Sequence, residues 1–163
     1  MKKKSIIYVD GFNLFFGLLK GHTGRKWLNI ADYFNKLRSD DEIVRIKYFT
    51  TLTMGNKKKK QEIYLSVLEH EPLVQIIYGK YKTHDVRCLI KCGYGGDKTF
   101  QMPIEKLTDV NIASHLIADA SMLKDINRLI VVSGDSDLVP AIKMAKLLSP
   151  HKKIIRSEEH TSE

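Results

Sequence analysis

Cysteine is scarce in this chain: two in 163 residues, Cys88 and Cys92, both in "CLIKC". Two thiols build no disulfide framework, and a lone CxxxC supplies half of the ligands a structural zinc needs. Alternation along a strand places both on one face as ordinary half-buried residues. Long apolar runs are missing too, and no stretch approaches the roughly 18 residues of a membrane span. The opening "MKKKSIIYVDG" holds only Ile6 to Val9 as an apolar stretch before Asp10, without a small-residue cleavage site. It reads as a first strand, and the expected compartment is cytoplasmic. No GxGxxG follows that strand, which argues against a dinucleotide site. No repeat or low-complexity linker divides the chain, whose length fits one domain.

What the chain has in excess is positive charge. Lys and Arg number 27 against 19 Asp and Glu, a formal net charge of +8, which favours polyanionic partners. The hydrophobic fraction of 43% is ordinary for a globular chain.

Strand and helix patterns alternate along it. "SIIYV" (5–9) reads as a strand, and "FNLFFGLLKG" after it as a buried helix stopped near Gly21. Asn29 is placed to cap a helix over "IADYFNKLR", with Ile30, Phe34 and Leu37 at helical spacing. "EIVRIKYFTTL" (42–52) is a strand. "NKKKKQEIYLSVLEH" (56–70) is a helix with Ile63, Val67 and Leu68 inward, its lysines a solvated end or, alternatively, a holder of phosphates. "LVQIIYGKYK" (73–82) is a third strand, and residues 83–102, with "GYGGDK", read as a hairpin or loop excursion. A helix starts beside Asp109 with Thr108 as its cap. "RLIVVS" is the fourth strand of the main sheet, "SDLVPAIKMAKLL" the helix after it, and "KKIIR" (152–156) the fifth. This alternation argues for an α/β domain with a mostly parallel sheet. The expected domain is 1–156, followed by a polar tail at 157–163 that is too poor in apolar residues to pack.

The chemistry sits at strand ends. In "VVSGDSDLVP" Asp135 and Asp137 flank Ser136, Gly134 permits a sharp turn, and a cap at Ser136 or Asp137 puts Pro140 in the first helical turn. One acid there needs no explanation beyond capping; two exceed it. "IIYVDGFN" repeats the pattern with Asp10 and Asn13. If these two strands are neighbours, Asp10, Asp109, Asp135 and Asp137 meet at one sheet edge, where four carboxylates repel unless a cation such as Mg²⁺ or Mn²⁺ neutralises them. The late position of "DSDLV" fits an aspartate-nucleophile phosphatase poorly, and "DSDLVPAIKMAK" lacks the glycine and final acid of a calcium loop.

"YVDGFNLFF", "EKLTDVNIA" and "VVSGDSDLVPAI", in this order, resemble the NYN domain, the LabA-like branch of the PIN-like nucleases, over residues 5 to about 156. The resemblance implies a five-stranded sheet of order 3-2-1-4-5 with helices on both faces. It further implies a Mg²⁺- or Mn²⁺-dependent ribonuclease that hydrolyses RNA phosphodiesters. Asp10, Asp109, Asp135 and Asp137 would form the acidic site, supported by Asn13, Ser133 and Ser136, with Lys106 and Lys143 attracting the RNA backbone. The alternative is an RNA-binding or protein-interaction module of the same fold that does not cut. Two departures stand out: similar sequences carry another acid where this chain has His115, and they usually continue beyond the fifth strand, so this chain reads as a truncated or a naturally short version. Oligomeric state leaves no signal in the sequence.

Overall fold

The computed structural model describes residues 2–19, 27–53, 55, 58–88 and 99–157. Strand β1 (Lys3–Asp10) runs into a short helix α1 (Gly11–Leu14), which passes into a π-helical turn over Phe15–Leu19. Helix α2 (Ile30–Leu37), strand β2 (Asp41–Thr50), helix α3 (Lys58–Glu69) and strand β3 (Val74–Tyr78) follow. Strands β4 (Lys80–Arg87) and β5 (Thr99–Lys106) then lead to helix α4 (Thr108–Met122). Strand β6 (Arg128–Val132), a 3₁₀ turn over Ser136–Leu138, helix α5 (Val139–Leu148) and strand β7 (Lys153–Arg156) complete the described chain.

Five strands form a parallel sheet in the order β3-β2-β1-β6-β7. This is the expected 3-2-1-4-5 order once the two strands β4 and β5 are set aside. They pair only with each other, antiparallel, as a separate two-stranded arm. In the centre of β1, Ile6, Ile7, Tyr8 and Val9 are all buried, because helices cover both faces. Ile6 and Tyr8 pack with Phe49 beneath α4 and α5, against Ile112, Leu116, Ile142 and Ala145. Ile7 and Val9 point the other way, into a core with Leu14, Ile30, Phe34, Leu65 and Leu68 from α1, α2 and α3.

The helix boundaries follow capping chemistry. Asn29 Oδ1 accepts from the backbone N–H of Ala31 and Asp32, which starts α2 where its sequence puts it. Three expectations fail on which face turns inward. Leu37 is exposed on α2, and α3 buries Leu65 and Leu68 while Ile63 and Val67 face outward. The helix after β1 is buried only in part: Leu14 is buried, but Phe15 and Phe16 are exposed and the backbone widens to a π turn, and the expected stop near Gly21 lies outside the described residues. The lysines described at the start of α3, Lys58 to Lys60, are exposed, as a solvated helix end should be. Cys88 is half-buried just past β4, whereas Cys92 and "GYGGDK" lie outside the described residues.

The stretch expected as one strand over 73–82 is split at Gly79, where the chain leaves the main sheet and enters the arm. A Cβ at Gly79 would stand 2.5 Å from Thr51 Oγ1 and 2.6 Å from Thr108 Oγ1. These two hydroxyls are hydrogen-bonded to each other at 3.2 Å and tie β2 to the start of α4. Gly79→Ala therefore has to push that pair apart. The expected cost is about 1–3 kcal/mol, the usual range for overpacking, and a chemical denaturation curve should show a lower midpoint with unchanged slope.

Candidate active site at the carboxyl ends of the strands

β1 ends in Asp10, which is 4% exposed. Its Oδ1 accepts from the N–H groups of Phe12 and Asn13 at 3.1 and 3.0 Å, so the residue caps α1. Gly11 makes this tight turn possible: a Cβ there would meet the Tyr48 ring at 2.8 Å and the Phe49 carbonyl at 2.9 Å. The other oxygen, Oδ2, accepts from Asn13 Nδ2 at 2.6 Å and from Ser133 Oγ at 3.1 Å. Asn13 Oδ1 in turn accepts from the N–H of Gly134 at 3.3 Å. Asn13 and Ser133 thereby stitch the end of β1 to the end of β6, strands that pair directly.

Asp135 follows β6 and starts the 3₁₀ turn, its Oδ1 accepting from the N–H of Asp137 at 2.9 Å. The cap is thus Asp135, ahead of the expected Ser136 or Asp137, and Pro140 falls in the first turn of α5 as expected. Gly134 does not take a positive φ, so its backbone donor rather than its conformational freedom is what the site uses. Thr108 does not cap α4. The residue in the cap position is Leu107, held at φ 77° without a side-chain cap, a left-handed conformation that costs a non-glycine residue on the order of 1–2 kcal/mol. No sequence signal marks this strained turn, which places Asp109 in the first turn of α4.

Asp10, Asp109 and Asp135 line one cleft of about 310 Å³, together with Asn13, Phe12 and Lys106. Asp137 and Ser136 are exposed on the 3₁₀ turn and are not among its lining, and neither is Lys143, exposed on α5. Ser133 stands behind Asp10 through the hydrogen bond already described. A larger hollow of about 780 Å³ lies toward the opposite strand ends, against Ile6, Val44 and Leu123. The smaller cleft is the better candidate because ligands of open parallel sheets bind at the carboxyl ends of strands.

Hard oxygen donors of this kind suit Mg²⁺ or Mn²⁺. The arrangement does not form a closed cage: among the described residues no three His, Cys, Asp or Glu side chains gather closely enough to hold an ion. Asp10 already accepts four hydrogen bonds, about the capacity of a carboxylate. The donor set therefore fits an ion held by one or two carboxylates with water filling its other positions, which is the habit of Mg²⁺.

His115 lies one turn and a half along α4 from Asp109 and does not line the cleft. Its ring packs edge-on against Phe49 with centroids 5.5 Å apart, and its Nδ1 stands 3.2 Å from Lys47 Nζ. Lys47 also donates to Asp119 Oδ2 at 2.5 Å, and the Tyr8 hydroxyl donates to the same oxygen at 2.6 Å. Burial first, then the Lys47 charge, hold the His115 pKa below its ordinary value, with Asp119 opposing them. An unfolded chain then takes up the proton more readily than the folded one. Stability from this group is complete above the unfolded pKa, about 6.5, and is lost as the pH falls below it. Urea midpoints should decline from pH 7 to 5.5, and His115→Gln, which still offers Lys47 an acceptor, should flatten that decline.

Sequence reasoning also missed Lys152, expected only as the start of a strand. Its Nζ reaches the carbonyls of Asp119, Ala120 and Leu123 at 3.3, 2.6 and 2.5 Å and satisfies the C-terminal end of α4. No helix among the described residues is long and apolar enough to cross a membrane.

The sequence matches the NYN domain over residues 4–163. It is 27% identical over 172 aligned positions to 6-hydroxy-3-succinoylpyridine 3-monooxygenase HspA of Pseudomonas putida. That alignment covers 86% of this chain but 54% of the relative, so the chain spans about half the relative's length. In structure it resembles a Vibrio parahaemolyticus protein of unknown function, with a TM-score of 0.58 and 19% identity, covering 95% of this chain and 80% of that one. At that identity the likeness concerns the fold alone.

Proposed function

Because this chain belongs to the NYN domain family, a family of nuclease-like fold, we propose that it is a metal-dependent ribonuclease hydrolysing RNA phosphodiester bonds. One observation carries the reading: three acids from segments far apart in sequence, Asp10, Asp109 and Asp135, line a single cleft with Lys106. A fold alone does not call for that convergence at the sheet edge.

Asp135 would hold a Mg²⁺ or Mn²⁺ ion together with Asp10, which would reach it through water or in exchange for one of its four hydrogen bonds, with Asp109 acting directly or through water and the exposed Asp137 through water. A bound ion of this class lowers the pKa of a water and offsets charge on phosphate oxygens. Asn13 orients Asp10 by donating to Oδ2 and keeps the β6 loop in place by accepting from Gly134. Ser133 holds the same carboxylate oxygen from the other side. Lys106, at the cleft wall, attracts the phosphate backbone that the acids would otherwise repel.

Labelled single-stranded and structured RNAs, offered with Mn²⁺ or Mg²⁺ and with EDTA, test the reading. Cutting that EDTA abolishes, by at least about 10²-fold, and that added ion restores is the expected result. Binding without cutting would leave a non-catalytic RNA-binding module. A second reading comes from the Pseudomonas putida relative, named a 6-hydroxy-3-succinoylpyridine 3-monooxygenase, whose alignment covers 86% of this chain and 54% of the relative. The same panel therefore includes 6-hydroxy-3-succinoylpyridine with dioxygen and a reduced nicotinamide. Consumption of that compound, with RNA left intact, would replace the nuclease reading.

A further inference from the structure

We propose that the β4–β5 arm is a binding platform for single-stranded nucleic acid that feeds the acidic cleft, an inference that rests on the ribonuclease reading and names where its substrate lies. The arm is rooted at the cleft: Lys106 ends β5 and lines the cleft, and the strained Leu107 separates it from Asp109 by one further residue. Each strand has eight residues, so the arm reaches about 24 Å at roughly 3.4 Å per residue. It joins no other strand among the described residues.

Its two faces differ in chemistry. Cross-strand partners share a face, and Lys80 lies opposite Lys106, His84 opposite Met102, and Val86 opposite Phe100. Alternation adds Lys82 to the same side. Lys80, Lys82, His84 and Lys106 are exposed, and no ion pair among the described residues occupies these lysines. Phe100 and Met102 are 51% and 49% exposed farther out along the same face. The arm's described acid, Asp85, lies opposite Gln101 on the other face. One side thus offers a row of cations leading away from the cleft and, beyond it, an aromatic ring open to solvent.

That combination fits an unpaired strand. Lysines follow a phosphate backbone, and an exposed ring stacks on a base that is not already stacked within a duplex. A duplex would satisfy the lysines and leave Phe100 with no base to meet.

Fluorescence anisotropy with a labelled, unstructured 12-nucleotide RNA, in EDTA so that cleavage plays no part, tests the arm. Phe100→Ala should raise Kd about tenfold and Phe100→Trp should restore it. Lys80→Gln combined with Lys82→Gln should lower the slope of log K against log salt by about 1.4, near 0.7 for each phosphate no longer neutralised. Gln101→Ala, on the other face, should change neither, and circular dichroism should show all variants folded. Single-stranded DNA of the same sequence should respond to Phe100→Ala in the same way, since ring and lysines meet groups both polymers carry. Unchanged affinity in the Phe100 and lysine variants, equal loss in Gln101→Ala, or duplex RNA bound as tightly as the single strand would overturn the proposal. Arm-dependent binding without cleavage in Mn²⁺ would refute the ribonuclease and leave the platform standing; cleavage and binding indifferent to the arm would do the reverse.

Discussion

Asp10→Asn should lower metal-dependent RNA cleavage by about 10³-fold while the protein stays folded. The magnitude is that of removing one preorganised electrostatic group from a reacting centre. Asparagine is the informative replacement because Asp10 has two roles. Its Oδ1 caps α1 through Phe12 and Asn13, and an amide oxygen can keep that cap. At Oδ2 the new NH₂ meets the Ser133 hydroxyl, which can rotate to accept. The Asn13 amide cannot turn over so freely, because its oxygen already serves Gly134. A loss of about 1 kcal/mol in stability is therefore expected, small enough to separate from the loss of activity. Asp10→Ala would confound the two by removing every one of these acceptors. Single-turnover cleavage rates beside thermal melts distinguish the effects.

Asp119→Ala should have the largest effect on stability, about 3–5 kcal/mol, the cost of breaking a buried pair by removing one partner. The Lys47 and Asp119 side chains are 10% and 13% exposed. Without Asp119, the Lys47 ammonium keeps, among the described residues, His115 Nδ1 and the Tyr8 ring 5.8 Å away, and the buried Tyr8 hydroxyl loses the acceptor it donates to. Tyr8 offers no relief by ionising, since burial, the largest cause of its far-raised pKa, persists without Asp119. At a few degrees per kcal/mol for a chain of this size, the melting temperature should fall by about 10 °C. Lys47→Met with Asp119→Leu should recover part of that loss, because replacing both charges leaves neither one stranded, while the Tyr8 hydroxyl still lacks its acceptor. Melts followed by circular dichroism on the three proteins check both statements.

Much of the sheet was legible because fully buried parallel strands write themselves as apolar runs; "SIIYV" and "RLIVV" admit few other readings. Strand-end acids were legible for a related reason: a charge that interrupts such a run must sit where the sheet meets solvent. Face assignment on α3 was not legible. Ile63, Val67 and Leu68 share a helical spacing with other triples, and the choice of Leu65 with Leu68 is made by how the helix sits on β2 and β3, a tertiary choice that its own residues do not encode. The split at Gly79 was hidden because residues 73–82 read as β-forming throughout, and only the close approach of Thr51 and Thr108 reveals what the glycine is for. Within the site, Asp10, Asp109 and Asp135 were expected to meet and do line one cleft, whereas Asp137 faces outward from the 3₁₀ turn. His115 was legible only as a departure, a histidine where similar sequences carry an acid. Its partners, Lys47 and Phe49, lie two strand positions apart on one face of β2, a coincidence visible only once α4 is docked.

If Asp10 and Asp135 act together on a metal-dependent cut in RNA, their substitutions must not act independently. The most direct measurement is the cleavage rate of one labelled RNA in Mn²⁺ for the wild type, Asp10→Asn, Asp135→Asn and the double variant, with folding checked by thermal melts. A large loss is expected in each single variant and little further loss in the double one, since residues that serve one ion are not additive. Wild-type cutting that persists in EDTA, or rates in both single variants within about twofold of wild type, would contradict the shared metal site.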